Sequence, residues 1–155
     1  MSEPRAAGVG LLDTSTVILL PRITDPGVLP DEPTISTITL AELSVGPLVA
    51  STDAERAARQ AHVQQAEADF DPIPFDAAAA RTFGRVAASL HRAGRKTSAR
   101  AYDALIAAVA IANDVPVHTV NPDDFAGIDE LDLVAIPHPI RNGHDRQRPT
   151  TRSPA

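Results

Sequence analysis

The stretch "YDALIAAVAIAND", residues 102–114, carries one acid near its start and is otherwise apolar up to Asn113. At helical spacing such a segment is apolar on nearly every side, so it has to be buried on most of them. It is far shorter than the roughly 20 residues that cross a bilayer, and no other stretch of the chain is long and apolar enough to do so. The cover must come from the rest of the protein. "GVGLLDTSTVI" reads as a buried strand ending near Asp13, and "EPTISTITL" as a second, alternating strand rich in Ile and Thr. "TLAELSVGPL" opens a helix with Thr39 as its cap. Residues 53–69 form an exposed, Ala-rich helix with an Asp cap, and "FDPIPF" a short, proline-weakened edge strand. A helix over about Asp76 to His91 is closed by the glycine of "HRAGRK". "VPVHTV" and "LDLVAIP" are strands, separated by the loop "NPDDFAG". Strands alternating with helices predict an α/β fold with a mainly parallel sheet.

The 155 residues, 43% of them hydrophobic, suffice for one domain with one core, expected over residues 1–139. The tail "IRNGHDRQRPTTRSPA", residues 140–155, lacks apolar periodicity and is expected to be disordered. With no cysteine, disulfides, thiolate zinc sites, iron–sulfur clusters and a cysteine nucleophile are excluded. No export signal is legible at the N-terminus, so a cytoplasmic protein without membrane attachment is expected.

The net charge of −6 argues mildly against a nucleic-acid partner, but its distribution matters more. The tail has four arginines against one aspartate, which leaves the body at −9. Between Ala77 and Tyr102 there is no acid, while Arg81, Arg85, Arg92, Arg95, Lys96 and Arg100 are all present. Acids and bases are therefore segregated.

Four places set a carboxylate at the edge of a buried element: Asp13, Glu42, Asp103, and the pair Asp123 and Asp124. In an open parallel sheet such edges line one crevice. Each acid also has a structural reading. Glu42 completes a capping box with Thr39, Asp103 favours a helix dipole, Asp123 and Asp124 suit a turn, and Asp13 could bond amides near Ser15. Together they carry more weight. Two like charges about 4 Å apart repel by roughly 4 kcal/mol at an effective dielectric of about 20. A carboxylate cluster therefore needs protons or cations, and hard oxygen ligands select Mg²⁺ or Mn²⁺. The chemistry expected is metal-assisted hydrolysis of a phosphodiester. The five histidines, His62, His91, His118, His138 and His144, show no ligand spacing.

The segments "LLDTS", "ITLAELSVG", "RAYDALIAAVA" and "HTVNPDDF", in this order, resemble a PIN-domain ribonuclease, and most closely the VapC-type toxins of bacterial toxin–antitoxin pairs. The resemblance covers residues 9 to about 138. It implies a three-layer α/β/α sandwich with a five-stranded, mainly parallel sheet in the order 3-2-1-4-5. It also implies an Mg²⁺-dependent endoribonuclease, a homodimer, and a VapB-like antitoxin that blocks the acidic site or supplies an arginine to it. By position, Asp13 and Asp103 match the family's metal ligands, Glu42 the acid of the helix after the second strand, and Asp124 the acid before Phe125. Asn121 stands where a fourth charge is expected. Thr14, Ser15, Thr119 and Asn121 would orient water or the ligand carboxylates, and Arg95, Lys96 and Arg100 would hold substrate phosphates. The neutral Asn121 leaves room for a second reading, a non-catalytic module that binds RNA or protein. A phosphoacceptor domain ranks last, because the only lysine, Lys96, lies between two helices rather than after a strand.

Overall fold

The computed structural model describes residues 8–141. Four strands, β1 (Val9–Leu12), β2 (Glu32–Thr34), β3 (Val117–Thr119) and β4 (Leu133–Ala135), form one parallel sheet in the order β2-β1-β3-β4. Five helices accompany them: α1 (Thr14–Leu19), α2 (Thr37–Val45), α3 (Asp53–Asp69), α4 (Ala77–Arg92) and α5 (Ala101–Ala112). Successive strand residues face opposite sides, and Leu11 and Leu12 show the result. Leu11 packs with Val86 and Leu90 of α4 and Ile106 and Val109 of α5, whereas Leu12 packs with Val17 of α1, Leu43 of α2 and Val63 of α3. Both faces of the sheet are thus covered, which makes the expected three layers. The all-apolar segment behaves as its composition demands: Ala104 and Ile106 through Ala110 of α5 are fully buried.

The sheet differs from expectation in one respect. "FDPIPF" contributes no full strand, only a parallel bridge between Ile73 and Ser36. Ile73 donates to Ile35 O and accepts from Thr37 N, both at 2.9 Å. Pro72 and Pro74 on either side have no N–H to extend the ladder. The strand order is otherwise the one expected, with the fifth strand reduced to this bridge.

Three local details are new or corrected. The first strand ends at Leu12, as expected near Asp13, and the β-branched "TSTVIL" after it, for which no element was expected, is helix α1, capped by the Asp13 side chain accepting from the Thr16 amide. The cap of α2 is Ser36, not Thr39: Ser36 Oγ accepts from Thr39 N at 3.3 Å, so the helix starts three residues earlier. Glu42 consequently sits in the second turn, outside any capping box. The cap of α3 is Thr52 rather than Asp53. Ser36 is fully buried, and Ser36→Ala is expected to cost about 1 kcal/mol, read as a lower urea midpoint with unchanged slope.

The end of α4 follows its sequence. Gly94 has φ +72°, Gly94 N donates to His91 O and Arg95 N to Leu90 O, the paired bonds of a Schellman stop. Gly10 answers a different need: a Cβ there would lie 2.4 Å from His118 Cδ2 and 2.7 Å from Pro30 Cβ. Among the described residues no helix is long and apolar enough to cross a membrane. At the C-terminus, Ile140 and Arg141 donate their amides to His138 Nδ1, while the rest of the expected tail, His144 included, lies outside the described residues.

Candidate active site

β1 lies at the middle of the sheet, between β2 and β3, and Asp13 follows its last residue. Asp13 is only 2% exposed, and its carboxylate accepts four hydrogen bonds. Oδ1 accepts from the Thr16 amide at 3.3 Å and from Thr16 Oγ1. Oδ2 accepts from Ser15 Oγ at 2.8 Å and Thr119 Oγ1 at 2.9 Å. Each of those hydroxyls is itself oriented by the end of β3. Thr16 Oγ1 accepts from Val120 N at 3.1 Å, Thr119 Oγ1 from Asn121 N at 3.0 Å, and Ser15 Oγ from Asn121 Nδ2 at 3.1 Å. Burial pushes the Asp13 carboxyl above its ordinary range, and the hydroxyl donors pull it back in part.

The remaining acids approach from three other elements. Glu42 on α2 accepts from Thr14 Oγ1 at 2.7 Å, and Thr14 Oγ1 lies 3.0 Å from Thr39 Oγ1. Burial raises its carboxyl, helped by the charge of Asp13. Asp103 stands in the first turn of α5. Its carboxyl is pushed up to about 7, first by burial and then by the charges of Asp124, Asp13 and Glu42, against the opposing Arg100. Asp124 sits in the short 3-10 turn Pro122–Phe125, pinned by the buried Phe125, and forms an ion pair with Arg100.

All four acids named from the sequence, Asp13, Glu42, Asp103 and Asp124, therefore converge on the C-terminal edge of the sheet and feel one another. The structural alternatives fare unevenly. Asp13 does cap a helix, but Glu42 does not, and a helix N-terminus does not keep Asp103 at its ordinary acidity. Asp123 is exposed, and its backbone carbonyl, not its side chain, accepts from Arg95 Nη2 at 3.3 Å. Asn121 braces Ser15 and Thr119, so its amide does a different job from the charge expected there. Thr16, which the sequence reading passed over, is fully buried and joins Asp13 to Val120; the Asp13-to-Thr16 spacing of a helix cap was its available signal. Arg100 is committed to Asp124, while Lys96 is exposed. His118 packs over Gly10, its Nδ1 buried without a hydrogen-bond partner, in keeping with a packing role.

The donor set is carboxylate and hydroxyl oxygen throughout, which suits a hard divalent cation and no soft one. Among the described residues no three acidic or histidine side chains are already arranged to hold an ion. Mutual repulsion, the hydroxyls on Asp13 and the guanidinium on Asp124 oppose a tighter gathering.

Comparison with known proteins places this arrangement. The PIN domain family matches residues 11–131. Ribonuclease VapC5 of Mycobacterium tuberculosis is 42% identical over 138 residues, covering 88% of this chain and 98% of its own length. Ribonuclease VapC of Rickettsia bellii is 28% identical over 130 residues, covering 82% and 96%. Among solved structures, that of VapBC-5, a toxin–antitoxin system of Mycobacterium tuberculosis, superposes with a TM-score of 0.72 at 37% identity, covering 83% of this chain and 99% of that one. DNA-bound VapBC from Salmonella typhimurium superposes at 0.66 with 26% identity, covering 79% and 94%. With a matched domain over most of its length and a relative this similar end to end, the chain belongs to the PIN-domain family, in the group of the VapC proteins.

Proposed function

We propose that this chain is a metal-dependent endoribonuclease and the toxin of a toxin–antitoxin pair. The observation that carries the reading is the convergence of four carboxylates from four separate elements on one edge of the sheet, with Asp103 at about 7. The names of its relatives, ribonucleases and toxin–antitoxin complexes, support the same reading.

Asp13, Glu42, Asp103 and Asp124 would hold Mg²⁺, or Mn²⁺ in its place. Such an ion, when bound, supplies a nucleophilic water at neutral pH and offsets charge on the phosphate. The chain's own residues do the rest. Thr16, Ser15 and Thr119 fix the rotamer of Asp13, and Thr14 fixes Glu42. Asp103, its carboxyl raised to about 7, would give up its proton on holding a cation. Lys96 and Arg95, on the segment between α4 and α5, lie where phosphates of an RNA strand would be held.

Beside Glu42 a groove of about 370 Å³ is lined by Thr14, Ile18, Glu42, Leu43, Arg59 and His62. Ile18 of its lining is 51% exposed, and Val45, Leu48 and Val49, which flank its Gly46 in the chain, are exposed at 49%, 85% and 65%. Apolar surface next to a charged site suits a protein partner, and a VapB-like antitoxin segment is the occupant that the reading assigns. A homodimer belongs to the same reading.

Purified protein freed of any partner is expected to cut total cellular RNA at discrete sites with Mg²⁺ or Mn²⁺ and to stop in EDTA. Cleavage that persists in EDTA would remove the metal from the mechanism. Absence of cleavage with either ion would remove the nuclease, leaving a binding module.

A further inference from the structure

Among the described residues, Arg100 forms an ion pair with one of the four acids of the site. Arg100 is the last residue of the 3-10 turn Thr97–Arg100 that leads into α5, three positions before Asp103. Its Nη1 donates to Asp124 Oδ1 across the mouth of the site, joining two segments that are 24 residues apart. Its side chain is 36% exposed and that of Asp124 32%, so the pair sits at the rim, half in water. No side-chain cap holds the turn at either Lys96 or Arg100. None of the residues Thr97–Arg100 is buried, so the guanidinium can leave Asp124 without disturbing the core. The neighbouring arginines differ: Arg85 and Arg92 pair with Glu130 and Asp129 on the outer surface, away from the four acids.

We infer that Arg100 is a resident counter-ion of this site, which a divalent cation must displace from Asp124 in order to bind. The inference rests on the metal reading above and adds a competitor to it. A guanidinium brings one charge to Asp124, and a divalent cation brings two to the whole cluster. The two positive groups repel at contact distance, so a cation that binds Asp124 with the guanidinium still in place binds more weakly than one that has displaced it. The field of Arg100 also eases ionisation of Asp103, a service the incoming cation takes over. Without the ion, Arg100 keeps four mutually repelling acids compatible with a folded chain. With the ion, it is turned outward beside Lys96, free to meet a phosphate.

Two measurements on the full chain, stripped of metal and of any partner, test this. Calorimetric titration with Mn²⁺ is expected to show about threefold to tenfold tighter binding in Arg100→Gln than in the unmodified protein. Arg92→Gln, the same loss of charge outside the site, is expected to change the affinity less than twofold. In the unmodified protein, the Arg100 Nε–H resonance, identified by its absence from R100Q, is expected to shift during an Mg²⁺ titration in step with saturation. This second measurement needs no variant to fold beyond the one used for assignment. Equal Mn²⁺ affinities for R100Q and the unmodified chain, or an Arg100 resonance unmoved at Mg²⁺ saturation, would overturn the displacement while leaving the metal site standing. Failure of either ion to bind any form would overturn both.

Discussion

Replacing Asp103 with Asn is expected to reduce RNA cleavage by about a hundredfold or more while making the metal-free protein more stable. The two effects share one cause. In the native protein the carboxyl of Asp103 is pushed up to about 7 by burial and by three other acids, whereas in the unfolded chain it titrates near 4. Between those values the native state keeps a proton that the unfolded state has released. Stability of the metal-free protein therefore falls as pH rises from about 4 to about 7 and levels off above. Asp13 and Glu42, both raised by burial, add to the slope with the same sign. An amide at position 103 never ionises, so the variant should lose much of this slope and gain most at pH 8. Urea midpoints at pH 5 and pH 8, in EDTA, read the effect alongside an RNA cleavage assay. A variant that loses activity and also loses stability at pH 8 would mean that Asp103 supports the fold rather than a cation.

The largest loss of stability from a nearly isosteric change is expected at Thr16. Thr16→Val keeps the shape, and a β-branched residue fits the same rotamer. It removes the hydroxyl that donates to Asp13 Oδ1 and accepts from Val120 N. Thr16 is fully buried, so neither partner gains a water in exchange. Leaving a buried donor or acceptor unpaired costs about 1–3 kcal/mol, and two such losses put the expected total at roughly 2–4 kcal/mol. Thermal and urea unfolding would check this. The same variant should also weaken Mn²⁺ binding by about tenfold, since Asp13 loses the brace that orients it. A Thr16→Val protein as stable as the parent would show that the Asp13 network carries little of the fold's free energy.

Much of the architecture is legible in the residues alone, for a physical reason. An all-apolar α5 and strands with two apolar faces leave a layered α/β fold as the arrangement that covers them. The acids were legible because a carboxylate beside buried leucines needs an explanation. What escaped depended on partners distant in sequence. Pairing geometry decided the fate of "FDPIPF", where prolines bracket the one residue that bridges. The role of Arg100 could not be read from a run of bases. Spacing suggests a phosphate binder, and only the folded loop around Asp124 shows the guanidinium already occupied. Thr39 and Ser36 illustrate the limit at its smallest, since both are good caps and both are buried, and the choice lay with the extended backbone of Ser36, which bridges to Ile73.

The bracing of Asp13 has a consequence for the protein's own synthesis. Its partners at Thr119, Val120 and Asn121 stand 104 to 106 positions later in the chain than the residues they join. A ribosome has made Asp13, Glu42 and every element through α5 before it reaches them. Until β3 emerges, Ser15 and Thr16 are the only hydroxyls near that carboxylate, and neither has its own anchor. The site therefore comes into being late and all at once, when the last strands close the sheet. If this chain cuts RNA, a polypeptide that has not yet added β3 lacks the bracing its site needs to do so.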